Sequence, residues 1–219
     1  MLPAFKVLLA CWLVLLSTAA MPARSPYPSY LKGITTIEYR SYVGSRASPG
    51  QRCVINRHTW NTALEVMTAQ SKLKFISEEE YRAQLDVLRE KVSSLRKQPT
   101  SESAVKALDA AQADLEEYGQ MPTLSLMVAG MEYFGRCAAV FRASLHVHVT
   151  PTDFIGTKEI ITLHYIGPGK FNPVIQIWHG DRTLQTRDKD FAAQVISTAA
   201  TTIKTLVDEW TEAQKCESC

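Results

Sequence analysis

The stretch 122–151, PTLSLMVAGMEYFGRCAAVFRASLHVHVTP, decides how the rest of the chain is read. It divides into two extended segments that can reverse tightly at Gly135–Arg136. In the second segment Cys137, Ala139, Phe141, Ala143, Leu145, Val147 and Val149 point one way. Arg142, Ser144, His146 and His148 point the other. Successive side chains leave opposite sides of a pleated strand, so this alternation marks a strand with one buried face. The stretch predicts a central hairpin that carries an apolar face, a buried cysteine and a histidine pair. Such a face needs a covering layer, and the flanking sequence offers one.

Upstream, Ile34–Val43 (ITTIEYRSYV) is rich in β-branched and aromatic residues and reads as a first strand. Gly44–Gln51 reads as a loop. Cys53–Ile55 is a short extended lead into a helix from about Thr59 to Ser71, where Trp60, Leu64, Met67 and Ser71 share a face. Leu73–Ile76 is a short second strand. Downstream, Thr157–Ile166 and Val174–Gln185 read as strands, the latter bent at Gly180, with a plain turn at Gly167-Pro168-Gly169. Asp188 or Asp190 caps a closing helix in which Phe191, Val195, Ala199, Ile203, Leu206 and Trp210 form an apolar stripe. Trp60, Phe141, Trp178 and Trp210 are the expected core anchors.

Ser77–Gln120 breaks this pattern. Ser77 and Glu80 form a capping box. Tyr81, Leu85, Leu88, Val92 and Leu95 then recur by four and three, as a helix seam does. After a break at Gln98–Ser101, Val105, Leu108, Ala111, Leu115 and Tyr118 line a second helix that Gly119 ends. Two seams of similar length across a short break predict an antiparallel helical hairpin. Three readings are open: both helices pack on the main sheet, they project as an arm for self-association or a partner, or, the heptads being few, the segment is disordered.

The N-terminus gives an address. Lys6 precedes VLLACWLVLLSTAA, an apolar run followed by small residues, the layout of an export signal over 1–20. The run is short for a transmembrane span, and an uncleaved anchor is the alternative. A leader over 21–30, an α+β domain in two parts (31–76 and 121–215), the hairpin at 77–120 and a tail at 216–219 complete the division. No later apolar run is long enough to span a membrane, so the mature chain is expected to carry no transmembrane segment. The formal charge of +2, without a clustered basic patch, argues against nucleic acid as a partner.

Export leaves Cys53, Cys137, Cys216 and Cys219 in an oxidising compartment, where an even number suggests disulfides. Four cysteines allow three pairings. The apolar, ordered surroundings of Cys53 and Cys137 favour pairing them, with Cys216 and Cys219 closing a local loop. The Cys216–Cys219 spacing also fits a redox or zinc motif, but it follows a helix end, where the dipole disfavours a thiolate.

His146-x-His148 places two imidazoles on one strand face, about 7 Å apart along the chain. With His164 on a neighbouring strand, or His179, they are a candidate divalent metal site. Their alternative role is as polar groups on the wetter face of the sheet. No nucleophile elbow, zinc-protease helix or phosphate-binding glycine loop is present, so no catalytic residues are assigned and no cofactor is required.

Cys53, Cys137, Ile177-Trp178-His179-Gly180 and Asp208-Glu209-Trp210 occur in an order that resembles small exported bacterial α+β proteins of unassigned function, with Ser77–Gln120 as an insertion. That resemblance implies export and a sheet covered by two helices, and no catalytic residues. The expected fold is an antiparallel sheet of about five strands under the Trp60 and Trp210 helices. The expected function is a non-enzymatic secreted or periplasmic interaction protein. A small-ligand or metal-binding protein centred on His146 and His148 is the alternative.

Overall fold

The computed structural model describes residues 31–45, 53–98, 101–133, 136–148, 161–167, 170–186 and 190–216, with the backbone alone at 45, 133, 161–167, 170–173 and 186. The signal, the leader, the reversal at Gly135, Asp188 and Cys219 lie outside these residues. The chain forms β1 (Thr36–Ser45), α1 (Arg57–Ala69), β2 (Lys74–Ser77), α2 (Glu78–Leu95), α3 (Glu102–Gly119), β3 (Thr123–Tyr133), β4 (Arg136–His148), β5 (Ile161–Gly167), β6 (Lys170–Thr186) and α4 (Phe191–Lys215).

This is an α+β fold on one mixed, six-stranded sheet ordered β2-β1-β3-β4-β6-β5. Two expectations are corrected. The sheet is not wholly antiparallel, because β1 runs parallel to both β2 and β3. A strand–helix–strand crossover through α1 returns β2 in the same direction as β1, as such connections do. The second correction concerns β5, which pairs with β6 alone and not with β4. β6 lies between them.

The central hairpin forms as read. β3 and β4 pair antiparallel from Thr123↔His146 to Tyr133↔Arg136. Cys137, Ala139, Phe141, Ala143 and Leu145 are all buried, on the face that α1 and α4 cover. Trp60 meets Phe141 edge-on at 6.0 Å between ring centroids, and its indole N–H donates to Ser41 Oγ at 2.7 Å. Trp178 is buried in the same cluster. Trp210 is half-buried, and its Nε1 donates to Ile34 O at 2.7 Å. The register irregularity in β6 is not at Gly180. It falls between the Leu145↔Trp178 and His146↔Gln176 pairs, where Ile177 is the extra residue, and this turns both Ile177 and Trp178 into the core.

The helix starts are set locally. Asn56 Oδ1 accepts from His58 and Thr59 N–H, which begins α1 before the expected Thr59. Ser77 Oγ accepts from Glu80 N–H and Ser101 Oγ from Ala104 N–H, satisfying donors that a first turn leaves open. Cys53 and Cys137 are disulfide-bonded, which ties the lead into α1 to β4. Cys216 is also disulfide-bonded and sits at the C-terminal cap of α4.

Candidate functional site

The sheet face opposite α1 and α4 is polar toward one end. Register aligns Ile76, Glu38, Thr123, His146 and Gln176 across five strands. The next row holds Arg40, Ser125, Ser144 and His179. Glu38 is only 1% exposed. Its carboxylate accepts from Arg40 Nε at 2.7 Å, from Arg40 Nη2 at 3.0 Å and from Thr123 Oγ1 at 3.1 Å. A buried charge is tolerable only when paired and hydrogen-bonded, and here both oxygens are occupied. Burial alone would lower the pKa of Arg40, but the hydrogen bond and charge of Glu38 outweigh it and raise that pKa. The pair thus ties β1 to β3 through Thr123.

The start of α2 and the end of α3 meet above this row. Tyr81 stacks on Tyr118 with centroids 5.2 Å apart, and Lys91 bridges to Asp114 farther along the two helices. Burial, followed by the charge of Glu38, raises the pKa of Tyr81. Tyr118 is raised by burial, then by Glu80 and Glu38. Beside this aromatic pair, a groove of about 740 Å³ runs between the helices and the start of β1, lined by Ile34, Lys74, Glu80, Leu88, Glu117 and Met121 among others.

Register places the expected metal ligands His146, His148 and His164 on two strands that are not neighbours. His146 and His148 share the polar face of β4, but β6 intervenes before β5, and His164 pairs with Asn172 two positions beyond the Val174↔Thr162 pair that lies in line with His148. Among the described residues, no three His, Cys, Asp or Glu side chains converge as a metal site requires. His179 is exposed one row away from His146. Sequence reading missed Glu38–Arg40–Thr123. The signal was present in ITTIEYRSYV, where a strand places Glu38 and Arg40 on one face, opposite Ile37 and Tyr39.

No protein-family model matches this chain, and no curated protein matches it.

Proposed function

We propose that this is an exported, non-enzymatic interaction protein in which α2 and α3 are an arm inserted into the α+β domain. The carrying observation is that Tyr81, Val92 and Ala111 are buried yet belong to a seam outside the main core cluster. The arm holds itself together and rests on β1 and β2 through α2. Each helix has 18 residues, which is about 27 Å of reach at 1.5 Å per residue. The ends of the arm also lie close together. Ser77 is level with Tyr39 and Thr123 with Glu38, on either side of β1, so about 10 Å of sheet separates them. Val87 is 66% and Val105 44% exposed, apolar contacts in reach of a partner. The Cys53–Cys137 bond is compatible with an oxidising compartment, and no helix among the described residues is long and apolar enough to cross a membrane.

The test is to replace 78–119 by a short Gly/Ser linker. The trimmed protein is expected to keep its near-ultraviolet dichroism and its Cys53–Cys137 bond. A photo-crosslinker at Val87 in the full protein should capture a defined partner in the host, and one at Thr201 on α4 should not. Loss of the fold on trimming would return α2 and α3 to the core and end the arm reading.

A further inference from the structure

β1 has ten residues, but β2 covers only its first part, from Thr36↔Lys74 to Tyr39↔Ser77, before the chain turns into α2. On its other side β1 stays paired with β3 from Glu38 to Ser45. The edge of β1 from Arg40 to Ser45 on the β2 side therefore has no strand partner among the described residues.

One hydrogen bond fixes which backbone groups face outward there. In a parallel ladder the N–H and C=O of one residue point to the same side, and those of the next residue point to the other. Glu38 N–H donates to Pro122 O at 2.9 Å, toward β3. Arg40, Tyr42 and Gly44 follow Glu38. Ser41, Val43 and Ser45 accordingly present their N–H and C=O to the open edge. Natural sheets blunt such edges with lysine, proline or a bulge, and the SYVGS of Ser41–Ser45 contains no lysine or proline.

We infer that this edge pairs with the same edge of a second copy of this chain, antiparallel, about a two-fold axis through Val43. A two-fold interface must be self-complementary, and this register is. It sets Val43 against Val43 on the core-side face, where Val43 already packs on the apolar cluster. It sets Ser41 against Ser45. It also sets Tyr42, which is 48% exposed on the opposite face, against Gly44 of the other copy, so that each ring covers bare backbone. Residues 41–45 of the second copy would run beyond the end of β2, stopping short of Tyr39, which β2 already holds. This surface is separate from the arm.

Sedimentation velocity from micromolar to millimolar concentration tests the pairing, on the protein with its Cys53–Cys137 bond intact. Val43→Pro removes the outward N–H, which edge strands tolerate, and with it the Val43 side chain that packs on the core cluster. Gly44→Lys is milder for the fold, since a Cβ there would lie 3.5 Å from Ala129 Cβ, an ordinary contact. It sets a charged chain opposite Tyr42 of the other copy. The wild type should form a reversible dimer, and Gly44→Lys should weaken it by at least about tenfold. The Ser41 and Val43 amides should gain exchange protection with concentration, and trimming 78–119 should leave the dimer in place. A wild type monomeric at every concentration overturns the pairing. So does a dimer that Gly44→Lys leaves intact, or one that disappears on trimming the arm while the trimmed protein keeps its near-ultraviolet dichroism. If Val43→Pro fails to fold, Gly44→Lys decides.

Discussion

Tyr81 and Tyr118 lie face to face, their ring planes within 10° of parallel, where α2 leaves the sheet and α3 comes back to it. Both rings feel the charge of Glu38, whose carboxylate is bound below to Arg40 and Thr123. An aromatic pair thus lies over the buried Glu38 carboxylate, where α2 and α3 meet the sheet. The junction joins a locally encoded element, the two capped helices, to a non-local one, the parallel β2-β1-β3 segment.

The junction should weaken in alkali. The Tyr81 and Tyr118 hydroxyls are raised above the ordinary tyrosine pKa, chiefly by burial, and so is Tyr39, by burial and then Glu65. A group whose folded pKa is raised contributes stability that is present below its unfolded pKa and lost as pH climbs through the folded one. Stability is therefore expected to fall above about pH 10, the unperturbed tyrosine value. Phenolate absorbance followed with circular dichroism should show these rings ionising late and together with unfolding. In the double variant Tyr81→Phe/Tyr118→Phe the alkaline loss should shrink. Three tyrosines that titrate normally in a folded protein would contradict the burial assigned to them.

Glu38 should be costly to truncate alone. Glu38→Ala strands Arg40 and removes the acceptor of Thr123 Oγ1. Removing one partner of a fully buried pair costs about 3–5 kcal/mol. Arg40 keeps 31% of its side chain in water, so about 2–3 kcal/mol is expected here. Removing both charges, as in Glu38→Met/Arg40→Met, should recover most of that loss, because an apolar pair leaves no orphaned charge. Urea midpoints for the two single variants and the double variant give the coupling. Simple additivity would mean that the pair is not held as described.

The Cys53–Cys137 bond spans a sequence separation of 84 residues. Closing a loop of that size restricts the unfolded chain and stabilises by about 3–5 kcal/mol on chain-entropy grounds. Both cysteines are buried, so mild reductant should leave the native bond intact, while the Cys53→Ala/Cys137→Ala variant should lose stability of that order in chemical denaturation. A loss under about 1 kcal/mol would show that the ends are held together without the bond.

What could be read from the sequence divides by range. The period of two in Cys137–Leu145 and the helical seams of Trp60–Leu64 and Phe191–Leu206 are short-range patterns, and the buried faces fell where they predicted. Neighbour relations were harder. A strand–helix–strand order from β1 to β2 should itself have suggested parallel pairing, and the length of the connection before β5 hid the fact that β6 sits next to β4. The Glu38–Arg40 site lay within a strand read only for its β propensity. Two charges spaced by one residue on a strand share a face, and where a helix covers that face a charge left unpaired would be costly.

Gly130 tests how tightly the disulfide region is packed against the closing helix. It stands on the core-side face of β3 opposite Ala139, and a Cβ there would lie 2.7 Å from Cys53 O and 3.0 Å from Phe191 Cζ. The aromatic ring can rotate aside, but the carbonyl belongs to backbone anchored by the Cys53–Cys137 bond. Gly130→Ala should therefore cost about 1–3 kcal/mol from overpacking. Gly119→Ala, where no atom lies within 4 Å of the added Cβ, serves as the unstrained control. Trimming Phe191 to leucine should relieve only part of the Gly130→Ala penalty, whereas Cys53→Ala/Cys137→Ala, which releases the carbonyl, should relieve more. Thermal melts of these combinations measure the coupling. Full rescue by Phe191→Leu alone would place the constraint on the ring instead of the tethered backbone.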